Sequence, residues 1–93
     1  MKNIILDLET DGLLDTVTKV HCLVYKADDL ITVATTEEQI TKALDVLLTG
    51  QVIGHNVLGF DLEVLRRLYG FELPVAQVTD TLLLSRLIHA DLR

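Results

Sequence analysis

Three carboxylates in this sequence are hard to account for by packing alone. Asp7 and Glu9 lie two residues apart in segment 3–9, whose alternation predicts a β-strand. Side chains two apart on a strand leave the same face. Ile4, Leu6 and Leu8 therefore face one way, and Asn3, Ile5, Asp7 and Glu9 the other. Two like charges side by side repel, and burying either is costly unless it is paired. A divalent cation meets both needs, because carboxylate oxygen is a hard donor suited to Mg2+ or Mn2+. Taken alone, an Asp-x-Glu pair is equally a strand end that has run into water.

Asp61 is the third. A helix is predicted over 60–69, and Asp61 precedes its apolar residues Val64, Leu65 and Leu68 by three, four and seven positions. That spacing puts it on the inward face. Its alternative reading is a first-turn acid that complements the helix dipole. Asn56, in the loop before, reads either as a turn residue or as a polar site residue. Asp80-Thr81 opens the last predicted helix, where an N-cap accounts for the acid without a site.

The elements that must hold these residues follow from periodicity and punctuation. Further strands are predicted over 20–26 and 30–35, joined by a hairpin at Asp28-Asp29. A helix follows, capped by Thr35 with Glu38 or Thr36 with Gln39. Its apolar stripe is Ile40, Ala43, Leu44, Leu47 and Leu48, and Gly50 is expected to end it. Segment 51–54 reads as a fourth strand, 55–59 as a loop and 60–69 as a second helix stopped by Gly70. Beyond Pro74, 75–78 reads as a fifth strand, and Thr79 or Asp80 caps a helix to about residue 89. The order β-β-β-α-β-α-β-α predicts an α/β fold with a ribonuclease-H-like mixed sheet. Its first three strands form an antiparallel meander, and parallel β-α units follow.

The 93 residues bound the chain to one small domain, with 49% hydrophobic residues and no Trp. Its core is aliphatic. A net charge of −6 lacks the basic footprint of a free-standing DNA binder. Nucleic acid would have to be met through metal ions or a basic surface supplied elsewhere. The one cysteine, Cys22, excludes an internal disulfide, fits a reducing compartment and reads as a small core residue. Three dispersed histidines make no zinc spacing, and no Gly-rich phosphate loop occurs. No apolar run reaches the ~20 residues of a membrane span, and Met1-Lys2-Asn3 leads straight into strand, so neither membrane nor signal peptide is expected.

Taken together the acids form a pattern. Asp7-Leu8-Glu9-Thr10 followed by Asp11-Gly12-Leu13 resembles the first exonuclease motif of the DEDD superfamily. His55-Asn56-Val57-Leu58-Gly59-Phe60-Asp61 resembles the second. Thr18 to Cys22 and Thr79 to His89 are similar to the proofreading domain of family A replicative DNA polymerases of podovirus-type phages. The resemblance covers essentially the whole chain and only the first part of that exonuclease domain, making 1–93 a partial domain incomplete at its C-terminus. It implies two-metal hydrolysis, with two Mg2+ or Mn2+ ions held by Asp7, Glu9 and Asp61 as the catalytic carboxylates. The implied substrate is the 3′ end of single-stranded DNA, in the cytoplasm of a bacterial or phage-infected cell. Thr10, Leu13, Asn56 and Phe60 are the implied substrate-binding residues.

The chain departs from that family at the third motif, YxxxD or HxxxxD. None follows Asp80; His89 and Asp91 have the wrong spacing. One ligand and the water-orienting residue are thus expected to be missing, to be supplied by a separate chain or lost with a truncated frame. Two alternatives remain open: a non-catalytic module of the same fold, and an acidic receiver-like Mg2+-binding domain, which requires a doubly wound parallel sheet.

Overall fold

Strict alternation puts β1 (Lys2–Thr10) at the centre of the sheet: Ile4, Leu6 and Leu8 are buried, while Ile5, Asp7 and Glu9 are exposed. The computed structural model describes residues 2–91. β1 is followed by β2 (Val20–Ala27), β3 (Leu30–Ala34), α1 (Glu37–Leu47) and β4 (Gly50–Gly54). A single π turn (Val57–Asp61) then runs into α2 (Leu62–Tyr69), and a 3-10 turn (Val75–Gln77) leads to β5 (Val78–Asp80) and α3 (Thr81–Asp91). The sheet order is β3-β2-β1-β4-β5. β1–β2 and β2–β3 pair antiparallel; β1–β4 and β4–β5 pair parallel. This is the expected mixed α/β sheet, compatible with a ribonuclease-H-like fold. The antiparallel meander excludes the doubly wound parallel sheet that a receiver-like domain needs.

One hydrophobic core lies between α1, α2 and a single face of the sheet. Ile4, Leu6, Leu8, Leu23 and Val52 come from the strands, Ile40, Ala43, Leu44 and Leu47 from α1, and Val64 and Leu65 from α2. Each fully buried Leu or Ile contributes about 1.5–3 kcal/mol, so this layer fixes the register that aims Asp7 and Glu9 away from it. Of the two capping boxes in the sequence, the real one is Thr36 with Gln39. The Gln39 N–H donates to Thr36 Oγ1 at 3.2 Å, and the Thr36 N–H donates to Gln39 Oε1 at 3.3 Å. Glu37 and Glu38 add negative charge at the positive end of α1. Among the described residues no helix is long and apolar enough to cross a membrane.

Several expectations are corrected. Gly50 is not a helix cap: α1 ends at Leu48 in ordinary helical geometry, and Gly50 pairs with Lys2 in β4. A Cβ there would sit 2.5 Å from the Lys2 carbonyl oxygen, which explains the glycine. Leu48 falls outside the buried stripe, 49% exposed. The fifth strand is 78–80, not 75–78, because the chain leaving Pro74 first closes a turn in which the Gln77 N–H donates to the Pro74 carbonyl. Cys22 is not a core residue; it pairs with Glu9 on the face opposite the core and is half-buried. The hairpin at Asp28-Asp29 forms as expected, with both residues at positive φ, 52° and 66°. The expected incompleteness at the C-terminus bears on residues 92–93, which lie outside the described residues.

Candidate active site

Two strand ends and one helical turn meet at the C-terminal edge of β1 and β4. β1 brings Asp7 and Glu9 to this edge on the face away from the core. After β4 the chain turns at Asn56, which is left-handed at φ 60° and ψ 30°. Asparagine tolerates that region better than most residues. The segment expected as a loop is instead helical from Val57: the Phe60 N–H donates to the Asn56 carbonyl at 2.9 Å, and the Leu62 N–H to the Val57 carbonyl. The wide turn carries one extra residue and ends on Asp61. It packs tightly over the sheet at Gly54, where a Cβ would lie 2.9 Å from Val57 Cβ and 3.1 Å from the Leu6 carbonyl oxygen.

Asp61 faces inward, as its spacing from Val64 and Leu65 requires, and is only 6% exposed. Its carboxyl is pushed up to about 7, first by burial and then by the negative charge of Asp7, with a smaller push from Asp80. The Leu8 amide, on the strand between Asp7 and Glu9, pulls the other way. Asp7 and Asp61 are therefore within electrostatic reach of each other. Glu9 stands exposed near the strand end. Among the described residues no three His, Cys, Asp or Glu side chains are gathered into a set that could hold an ion. Carboxylate oxygen is nonetheless the donor a hard divalent cation takes, and positive charge near Asp61 would relieve the burial and like charge that raise it.

The remaining candidates lie in the loop after β1 and in the turn after β4. Thr10 is half-buried, and its hydroxyl donates to the Gly12 carbonyl at 2.7 Å, so it is occupied within the loop. The β1–β2 register shifts between Glu9 and Thr10, a bulge that turns the chain out of the sheet. Leu13 stands 80% exposed on the loop that follows. Asn56 is exposed and Phe60 packs half-buried against the core. A groove of about 240 Å³ opens beyond Leu58 and Leu62, reaching Arg66 and Phe71.

Two acids have roles that the sequence did not disclose. Asp11 accepts from the backbone N–H groups of Thr18 and Lys19 at 2.9 and 3.0 Å and from the Thr18 hydroxyl. These bonds hold its carboxyl down at about 2 and close the loop that carries Leu13. Asp80 is the N-cap expected, accepting from Leu82 N–H at 3.0 Å, but it also accepts from Asn56 N–H at 3.0 Å and Leu58 N–H at 2.9 Å. Burial would raise its carboxyl, yet the backbone donors outweigh that and hold it below the ordinary value. The one available signal was chemical: an aspartate has two oxygens, and a helix cap uses one.

No family model matches this sequence. The chain is similar to the DNA-directed DNA polymerase of Escherichia phage T7, 33% identical over an alignment of 102 residues. That alignment takes in 97% of this chain and 14% of the polymerase. The chain thus spans a small part of the length of the relative it matches. The similarity runs almost end to end and supports a DNA-polymerase-related region.

Proposed function

We propose that this chain is part of a metal-dependent 3′–5′ exonuclease domain that proofreads for a DNA polymerase, taking the 3′ end of single-stranded DNA. One observation carries the reading: a buried Asp61 is raised to about 7, first by its burial and then by the charge of Asp7, on the strand that also bears Glu9. The likeness to a phage polymerase supplies the context. Asp7 and Asp61 are the residues that would hold divalent ions, with Glu9 completing the set from the strand end. Two such ions, when bound, activate water and stabilise the leaving 3′ oxygen. The chain's own part is to keep the acid pair fixed and close to water-excluded surface. On this reading Leu13, Asn56 and Phe60 would meet the terminal nucleotide.

The test is metal binding followed by cleavage. Mn2+ is expected to raise the melting temperature of the chain and to leave Asp7→Ala unmoved, since an ion that binds only the folded state stabilises it by mass action. Equal melting with and without Mn2+ in both proteins would sink the reading. Release of the terminal nucleotide from 3′-labelled single-stranded DNA then separates an active fragment from the second reading, a module of the same fold that does not cut. That second reading rests on the described residues, among which no three His, Cys, Asp or Glu side chains are gathered into one set.

A further inference from the structure

We infer that Asp80 is a positioning residue: its two carboxylate oxygens tie the turn leading to Asp61 onto the start of α3, and so set where Asp61 stands against Asp7. The inference rests on the proposed role of that acid pair and deepens it.

The division of labour between the two oxygens carries the argument. Oδ1 accepts from the N–H groups of Asn56 and Leu82, both at 3.0 Å, and from Leu83 at 3.4 Å. Oδ2 accepts from Leu58 N–H at 2.9 Å. Capping a helix asks only for an acceptor toward its second or third residue, which Ser or Thr provides. The Leu58 bond serves no cap. It reaches 22 residues back along the chain, to the π turn that ends on Asp61. Asn56 N–H and Leu58 N–H flank the start of that turn, so a single buried group pins both ends of its entry. His55 Nδ1, 3.0 Å from Thr81 Oγ1, adds a tie on the outer side. Asp61 itself makes no capping hydrogen bond with its side chain. Its carboxylate meets the Leu8 amide of β1, and its backbone is carried there by the turn that Asp80 holds.

Asp80→Asn separates the two jobs. Its amide oxygen can keep the bonds made by Oδ1, while its NH2 group meets Leu58 N–H donor against donor. The opposite flip keeps one bond and gives up three. The variant also removes a negative charge near Asp61, so Leu58→Pro is its companion. It deletes the same N–H and leaves the Asp80 charge in place, in a first helical turn where that N–H has no intrahelical partner.

The experiment uses the 93-residue chain as wild type and both variants, followed by thermal melting, amide hydrogen exchange and calorimetric titration with Mn2+. Both variants are expected to melt somewhat below wild type, since each loses the Leu58 bond at a buried group, and to keep α3 amides protected. Mn2+ affinity should fall about tenfold or more in each, the size seen when a group that orients a metal ligand is lost. Unchanged affinity in both variants overturns the inference. A fall confined to Asp80→Asn overturns it as well, because charge alone would then explain the effect. Loss of α3 protection in Asp80→Asn reduces the residue to a cap and has the same consequence. A wild-type chain that binds no Mn2+ removes the acid-pair reading itself, a failure visible before any variant is made.

Discussion

Asp61 and Asp80 are buried to nearly the same degree, 6% and 5% exposed, and they behave in opposite ways. Asp61 is raised to about 7; Asp80 is held below its ordinary value. The two sit on neighbouring elements and feel each other's charge. What separates them is the supply of donors. Asp80 collects backbone N–H groups from a strand end, a turn and a helix start, whereas Asp61 faces a like charge. Burial alone therefore does not mark a site. A buried acid with every lone pair engaged is architecture, and a buried acid facing another acid is an unmet demand for positive charge.

The comparison can be broken most forcefully at Asp80. Asp80→Ala strands several amide donors and removes the α3 cap, for an expected loss of about 3–5 kcal/mol in urea unfolding at pH 7. A loss no larger than an exposed cap would undo the contrast. Asp61→Asn should act in the opposite direction. Because its folded carboxyl titrates near 7 and its unfolded one near 3.8, the folded state binds the extra proton between those values. Stability falls as pH rises through that window, by up to about 4 kcal/mol. The variant should thus be more stable than wild type by about 2–4 kcal/mol at pH 8, and nearly equal to it at pH 4. Asp80 has the other sign: its contribution is present above its unfolded value and disappears as pH drops below about 4. Mn2+ at a hundred times its dissociation constant should add about 2.7 kcal/mol to wild type at pH 8. It should release protons on binding, and add nothing to Asp61→Asn. The smallest effect lies outside the comparison and calibrates it. Asp29→Gly relieves a left-handed hairpin residue and should stabilise by about 1 kcal/mol at any pH.

Much of this architecture was legible because it is local. The alternation of β1 placed Asp7 and Glu9 on one face, and the spacing from Asp61 to Val64, Leu65 and Leu68 turned it inward. The antiparallel meander and the parallel β-α units that follow it could be read from element types and linker lengths. The missed features depend on partners remote in the chain. The bonds from Asp80 to Asn56 and Leu58 span 24 and 22 residues. Gly50 looked like a helix stop because glycine often is one; its real cause is the carbonyl of Lys2, brought beside it only by the parallel pairing of β1 and β4. The helical winding of Val57 to Asp61 was hidden for a similar reason, since it depends on packing against Gly54 rather than on the propensities of its own residues.

Among the described residues the core helices cover one side of the sheet, and that asymmetry has a colloidal consequence. Ile5, Ile31 and Val33 on the other side, with Leu84 and Leu87 on α3, leave oily surface in contact with water. At neutral pH an excess of acidic groups keeps such surfaces on different molecules apart. Acidification relieves Asp61, so its contribution to stability grows as pH falls toward 4. The isoelectric point, near 4.8, falls in the same range. The conditions that relieve Asp61 are thus those in which copies of the molecule are most prone to precipitate.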